Sequence, residues 1–238
     1  MIHPRAHRRA ITAALVAVVV AFPFRAAGQA SPDAYEQQVR RDGIRSCLVY
    51  DVCPDFPDFP DALEGPDRRV LLTVHGWDGR PARILFGAAD ASAYPVFVAA
   101  PVALWGAVLT DALEIGDALA GSAALAAGYG TAVALKRVVG RPRPYATIPG
   151  VTPRSGYAGT MGLSDTASFP SGHGTLAGVV ATGAAILLRH PAATAAGGVW
   201  AVSVSVSRLW LGVHYPSDVA AGLAVGAGSA ALAMSVLR

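Results

Sequence analysis

In the stretch SRLWLGVHYPSD, residues 207–218, an arginine, a histidine and an aspartate stand between two long runs without a charged side chain. Asp218 follows His214 by four residues, close enough to accept from one imidazole nitrogen while the other faces a reactant, the arrangement that orients a histidine for base or nucleophile work. The alternative for Asp218 is an acid that only complements a helix N-terminus. A second stretch, SFPSGHGTLAG, sets Ser171, Gly172 and His173 at a turn that leads into an apolar helix. Unpaired N–H groups at such a helix start favour an anion, and Gly172 lets the backbone come close to one. His173 alone reads as a structural histidine; beside an anion site it is a candidate general acid.

The third stretch, LKRVVGRPRPYATIPG, begins a basic segment holding Lys136, Arg137, Arg141, Arg143 and Arg154, with no acid between Asp117 and Asp165 to serve as a local partner. Guanidinium forks match phosphate oxygens, and an ammonium adds a point charge. Pro142 and Pro144 bracket Arg143 and restrict its backbone. A basic loop flanking a membrane is the other explanation. Lys136 is the one lysine beside eighteen arginines. Taken together, Lys136, Arg143, Arg208, His173, His214 and Asp218 supply what phosphoryl transfer through a covalent histidine needs: charge stabilisation, a nucleophile with its orienting carboxylate, and an acid for the leaving group.

Elements that would gather these residues are visible in the composition. Apolar residues make up 53% of the 238 and charged residues 15%, against about 25% charged in an ordinary soluble domain, and the mean hydropathy is +0.43. Five runs lack Asp, Glu, Lys and Arg: 91–110, 118–135, 166–188, 191–207 and 219–237. Each approaches the ~20 residues that cross a bilayer as a helix, and Gly222 and Gly226 give the small-residue spacing that lets helices approach in lipid. A soluble Ala-rich bundle is the competing expectation. Counting crossings puts 136–170 and 208–218 on one face, so all three charged stretches meet there. The five cations of 136–154 then break the positive-inside pattern and need another reason for being there. The pI near 9.1 does not point to nucleic acid, because the cations form no amphipathic or aromatic-interleaved patch.

The chain divides at its composition changes. Residues 1–30 carry Arg5, Arg8 and Arg9 before an uncharged run and small residues, which predicts a signal peptide or, failing cleavage, an N-terminal membrane anchor. Residues 31–83 are polar, acidic and proline-rich and are expected to be an exported loop or extended arm, not a continuous helix. Cys47 and Cys53, an even pair in an oxidising compartment, are candidates for a disulfide or remain two separate thiols. Residues 84–238 form the expected helical domain.

The motifs resemble the three-part signature of type 2 phosphatidic acid phosphatases, whose superfamily also includes class A acid phosphatases and vanadium haloperoxidases. Lys136, Arg143 and Pro144 match its first part, Pro170 to His173 its second, and Ser207, Arg208, His214 and Asp218 its third. The resemblance implies an all-α bundle of about five or six mostly transmembrane helices. It also implies a metal-independent hydrolase without cofactor, which takes a phosphate from a lipid phosphate or pyrophosphate such as phosphatidate, phosphatidylglycerol phosphate, an isoprenyl pyrophosphate or a lipid A type. In that scheme His214 attacks phosphorus, Asp218 orients it, and His173 protonates the leaving oxygen. Lys136, Arg143 and Arg208 hold the phosphoryl oxygens, with Ser171 and Gly172 adding hydrogen bonds. The expected partners are the lipid substrate and the bilayer, with the site on the exported side of the cytoplasmic membrane. An exported soluble acid phosphatase of the same superfamily is the alternative enzyme, a haloperoxidase is disfavoured by chain length, and a lipid-phosphate binder or transporter is the non-enzyme alternative.

Overall fold

The computed structural model describes residues 61–154 and 167–238. The export segment, Cys47 and Cys53 lie outside the described residues. Those described are all helical, with no strand. Their helices are α1 (Asp61–His75), α2 (Arg80–Leu109), α3 (Ile115–Val139), the single turn α4 (Pro144–Thr147), α5 (Gly172–Leu188), α6 (Pro191–Trp210) and α7 (Pro216–Val236).

Local chemistry sets the boundaries. Pro81, Pro144, Pro191 and Pro216 each occupy a first-turn position, where a missing N–H costs nothing. Ser171 caps α5, its Oγ accepting from the Gly174 N–H at 3.2 Å. α3 ends at Gly140, whose φ of 59° is left-handed and turns the chain sharply into Arg141 and Arg143. The helices extend beyond the charge-free runs because charged residues occupy their ends. α2 begins at Arg80, α3 continues through Lys136 and Arg137, and α6 includes Arg208.

α5 is the centre of the bundle and touches α2, α3, α6 and α7. Three helical stretches, Arg80–Leu109, Ile115–Thr147 and Pro216–Val236, are long and apolar enough to cross a membrane. The central α5 has 17 residues, about 25 Å at 1.5 Å per residue and so somewhat short of a ~30 Å hydrocarbon core. α6, at 20 residues, is diluted by Thr194, Ser203, Ser205, Ser207 and Arg208.

The α5–α7 crossing is glycine-mediated. A Cβ on Gly226 would lie 1.9 Å from the Thr175 carbonyl oxygen, and one on Gly222 would lie 2.5 Å from that of Ser171. Backbones this close allow the Ser171 N–H to donate to the Asp218 carbonyl at 2.9 Å, tying the first turn of α5 to that of α7.

The described part of the acidic segment departs from the loop or extended arm expected of it. Asp61–His75 is a helix that tolerates Pro66 with the loss of one intrahelical bond, and it packs on α6 and α7. Its Leu71 and Val74 join a core with Phe86, Trp210, Val213 and Tyr215. Burying Leu71 alone contributes about 2 kcal/mol, which an exposed arm does not gain.

Candidate active site

The C-terminal ends of α3 and α6, the N-terminal ends of α5 and α7 and the turns beside them meet at one end of the bundle and carry the residues of the three motifs. His214 lies in the turn between α6 and α7 and is 4% exposed. Its Nε2 is 3.4 Å from the Arg143 Nη1. A guanidinium can only donate, so Nε2 accepts and the ring proton sits on Nδ1. Nδ1 faces the Ser168 Oγ at 3.4 Å and the Asp218 Oδ2 at 3.5 Å. Burial is the main cause that pushes the imidazole pKa down to about 3, with Arg143 and Lys136 adding to it and the Asp218 contact opposing. The ring is therefore neutral at neutral pH and keeps an Nε2 lone pair.

Asp218 is fully buried and lies both at the start of its own helix and beside the His214 ring. Its Oδ2 accepts from the Tyr215 N–H at 2.8 Å, capping its own helix, and from the Ser168 hydroxyl at 2.5 Å. Its Oδ1 accepts from the Arg141 Nη1 at 2.7 Å. The contact with His214 is longer than the direct hydrogen bond expected, because Ser168 reaches between the ring and the carboxylate.

The cations are tied to the framework of the site. Lys136 Nζ donates to the Ala167 carbonyl at 2.7 Å, and Arg143 donates to the Val213 carbonyl at 3.0 Å and to that of Ala167 at 3.3 Å. Arg208, 1% exposed, pairs through Nη2 with Asp90 of α2. His173 is edge-on to Phe97, with ring centroids 5.8 Å apart, and lies in the field of the Arg208, Arg143 and Lys136 cations. Next to it, a side chain at Gly172 would meet nothing within 4 Å, so open space adjoins that backbone. Ser171 is fully buried; its Oγ is occupied as a cap, which leaves its own proton to donate.

The basic segment 136–154 has no acid nearby in sequence, but two of its cations find partners far away in the chain. Arg141 pairs with Asp67 of α1 as well as Asp218, and Arg154 pairs with Asp78. The acidic segment thus supplies countercharge to two of the five cations of the basic one. Asp67, Asp90, Arg141 and Ser168 are the residues that sequence reasoning passed over. Arg141 stood out only as one cation among five, and Asp67 and Asp90 had no local signal at all. No group of three or more His, Cys, Asp or Glu side chains fit to hold a metal occurs among the described residues.

Comparison with known proteins finds relatives among lipid phosphatases. Decaprenylphosphoryl-5-phosphoribose phosphatase of Mycolicibacterium smegmatis is 35% identical over 163 residues, which cover 68% of this chain and 83% of that protein. Lipid A 1-phosphatase of Rhizobium etli is 41% identical over a shorter 98 residues, 39% of this chain and 38% of that protein. A transmembrane PAP2-type phosphatidylglycerolphosphate phosphatase from Bacillus subtilis shares the fold, with a TM-score of 0.57 over 84% of this chain and 94% of that one, at 19% identity. The PAP2 superfamily pattern matches residues 117–238, a span that includes every one of the motif side chains gathered around His214. The chain belongs to the PAP2 superfamily.

Proposed function

We propose that this chain is a membrane-associated phosphatase that removes a terminal phosphate from a lipid phosphate or pyrophosphate through a phosphohistidine on His214. The observation that carries this is the neutral His214 ring, held with its proton on Nδ1 and its Nε2 lone pair against the Arg143 guanidinium. A phosphoryl group drawn to Arg143, Lys136 and Arg208 arrives at that lone pair. Nε2 then bonds to phosphorus, and the bond from phosphorus to the leaving oxygen breaks with its electron pair going to that oxygen. His173 donates the proton that makes the oxygen a neutral leaving group. In the second half, water gives its proton back to His173 and attacks phosphorus, the P–N bond breaks, and His214 is again neutral. Asp218 stabilises the positive ring between the two halves.

The substrate class follows from the relatives, which act on lipid-borne phosphates, and from the long apolar helices that would set the site at a bilayer surface. The export-type N-terminus and the crossing count favour the exported side of the membrane. Phosphate release by purified, detergent-solubilised protein from a panel of lipid phosphates and pyrophosphates tests the function. A lipid phosphate should be hydrolysed at least tenfold more efficiently than a soluble phosphomonoester. Equal rates on both, with activity extracted fully without detergent, would overturn the lipid assignment in favour of an exported soluble phosphatase.

His173→Ala separates the acid role from simple packing against Phe97. The rate should fall by about 10²- to 10⁴-fold on an alkyl phosphate, whose leaving oxygen needs a proton. It should fall far less on an activated aryl phosphate. Equal losses on the two substrates would remove His173 from the proton transfer.

A further inference from the structure

Arg141 is held on several sides. Its Nη1 donates to the Asp218 Oδ1 at 2.7 Å and to the Ser217 Oγ at 2.7 Å, and its Nη2 donates to the Asp67 Oδ2 at 2.8 Å. The Tyr215 ring lies against the guanidinium, with 3.9 Å from Cζ to the ring centroid, and the Tyr215 hydroxyl is fixed in turn on the Thr147 Oγ1 at 2.8 Å. Asp67 is equally constrained. Its Oδ1 accepts from the Ser217 N–H at 2.8 Å, in the first turn of α7, and its Oδ2 also accepts from the Ser217 hydroxyl. The side chains of Arg141, Asp67 and Asp218 are 4%, 5% and 0% exposed. Water screens such a trio little, so its charge balance reaches the adjacent ring.

We propose that Asp67 of α1 is a positioning residue for the reaction at His214, acting through Arg141 on Asp218, so that the helix ahead of the family domain is part of the catalytic apparatus. This rests on the phosphohistidine assignment and adds to it. Two carboxylates sharing one guanidinium leave a net charge of −1 behind His214. When Nε2 bonds to phosphorus the ring becomes cationic, and that remaining negative charge stabilises it. If Asp67 is neutralised, Arg141 cancels Asp218 and the cationic ring loses its counterion. Phosphate capture is assigned to other groups, Lys136, Arg143 and Arg208. The loss therefore appears in the chemical step.

Asp67→Asn should lower kcat on the order of tenfold, with KM within twofold of wild type, in a protein that is less stable than wild type but still folded in detergent at the assay temperature. The double variant D67N/R141Q, which restores the net charge, should lose less than the product of the two single losses. Leu71→Ala, which loosens the packing of α1 without touching the trio, should not reproduce a kcat loss at constant KM. An unaffected kcat in Asp67→Asn, independent multiplication of the two losses, or the same kinetic split in Leu71→Ala would each overturn the proposal. If Asp67→Asn does not accumulate, Asp67→Glu displaces the carboxylate by one methylene and should also lower kcat alone; an unchanged kcat there overturns it equally. A wild-type protein inert on every lipid phosphate would sink the phosphatase assignment itself. An active wild type with an indifferent Asp67 sinks only the role of α1.

Discussion

His214→Ala should abolish phosphate release, with a fall in kcat of about 10⁴-fold or more and a folded protein left behind. Losses of this size follow when the atom that forms the covalent intermediate is removed, because positioning and charge stabilisation cannot replace the missing bond. The other imidazole cannot take over readily. His173 belongs to the first turn of α5, edge-on to Phe97, whereas the carboxylate and hydroxyl that fix the tautomer lie against His214. The fold should survive because the turn holding His214 is anchored by its neighbours: Val213 lies in the core with Leu71 and Trp210, and the Tyr215 N–H is bonded to Asp218. Initial rates on the best lipid substrate, with melting curves for both proteins, give the comparison. Wild-type protein quenched during turnover should carry an acid-labile phosphate that the variant lacks. Activity within tenfold of wild type would exclude His214 as the nucleophile.

Gly226→Ala should have the largest effect on stability of any single methyl group added to the bundle. The new carbon would sit 1.9 Å from the Thr175 carbonyl oxygen and 2.8 Å from the Val179 nitrogen, both backbone atoms of α5 that cannot rotate away. The helices must separate, at a cost of about 3 kcal/mol or more, equivalent to a fall in melting temperature of roughly 6–12 °C for a protein of this size. Activity should fall with it, because the same crossing keeps the Ser171 N–H on the Asp218 carbonyl and so ties the first turn of α5, which carries His173, to that of α7. Gly228→Ala is the control, since a side chain there meets nothing within 4 Å. It should leave the melting temperature unchanged or raise it slightly through helix propensity. Equal melting temperatures for the two alanine variants would mean that α5 and α7 are not in backbone contact.

The parts of the site legible in the sequence are those whose chemistry is local. His214 and Asp218 are four residues apart on one turn and helix start, Ser171 to His173 are contiguous, and Lys136 and Arg143 straddle a glycine that ends a helix. Charge-free runs located the long helices but not their ends, because such runs stop at charged residues and helices do not. Arg208 and Asp218 are fully helical in backbone conformation despite marking the edges of apolar runs. The partners of the cations were illegible for a different reason. Asp67 lies 74 residues from Arg141, and Asp90 lies 118 from Arg208, and no periodicity or spacing rule connects positions that only tertiary packing brings together. The helix at Asp61–His75 was hidden by Pro66, whose cost is outweighed by the apolar face it buries.

The ion pairs of α1 and of the turn after it bear on where this protein can be cut. Composition changes near residue 84, and the family pattern begins later still, at 117. An expression product trimmed to either point would be short of Asp67 and Asp78, leaving Arg141 and Arg154 with two fewer carboxylates, and would strip Leu71 and Val74 from the core around Trp210. A trimmed piece that keeps these pairs therefore has to include α1.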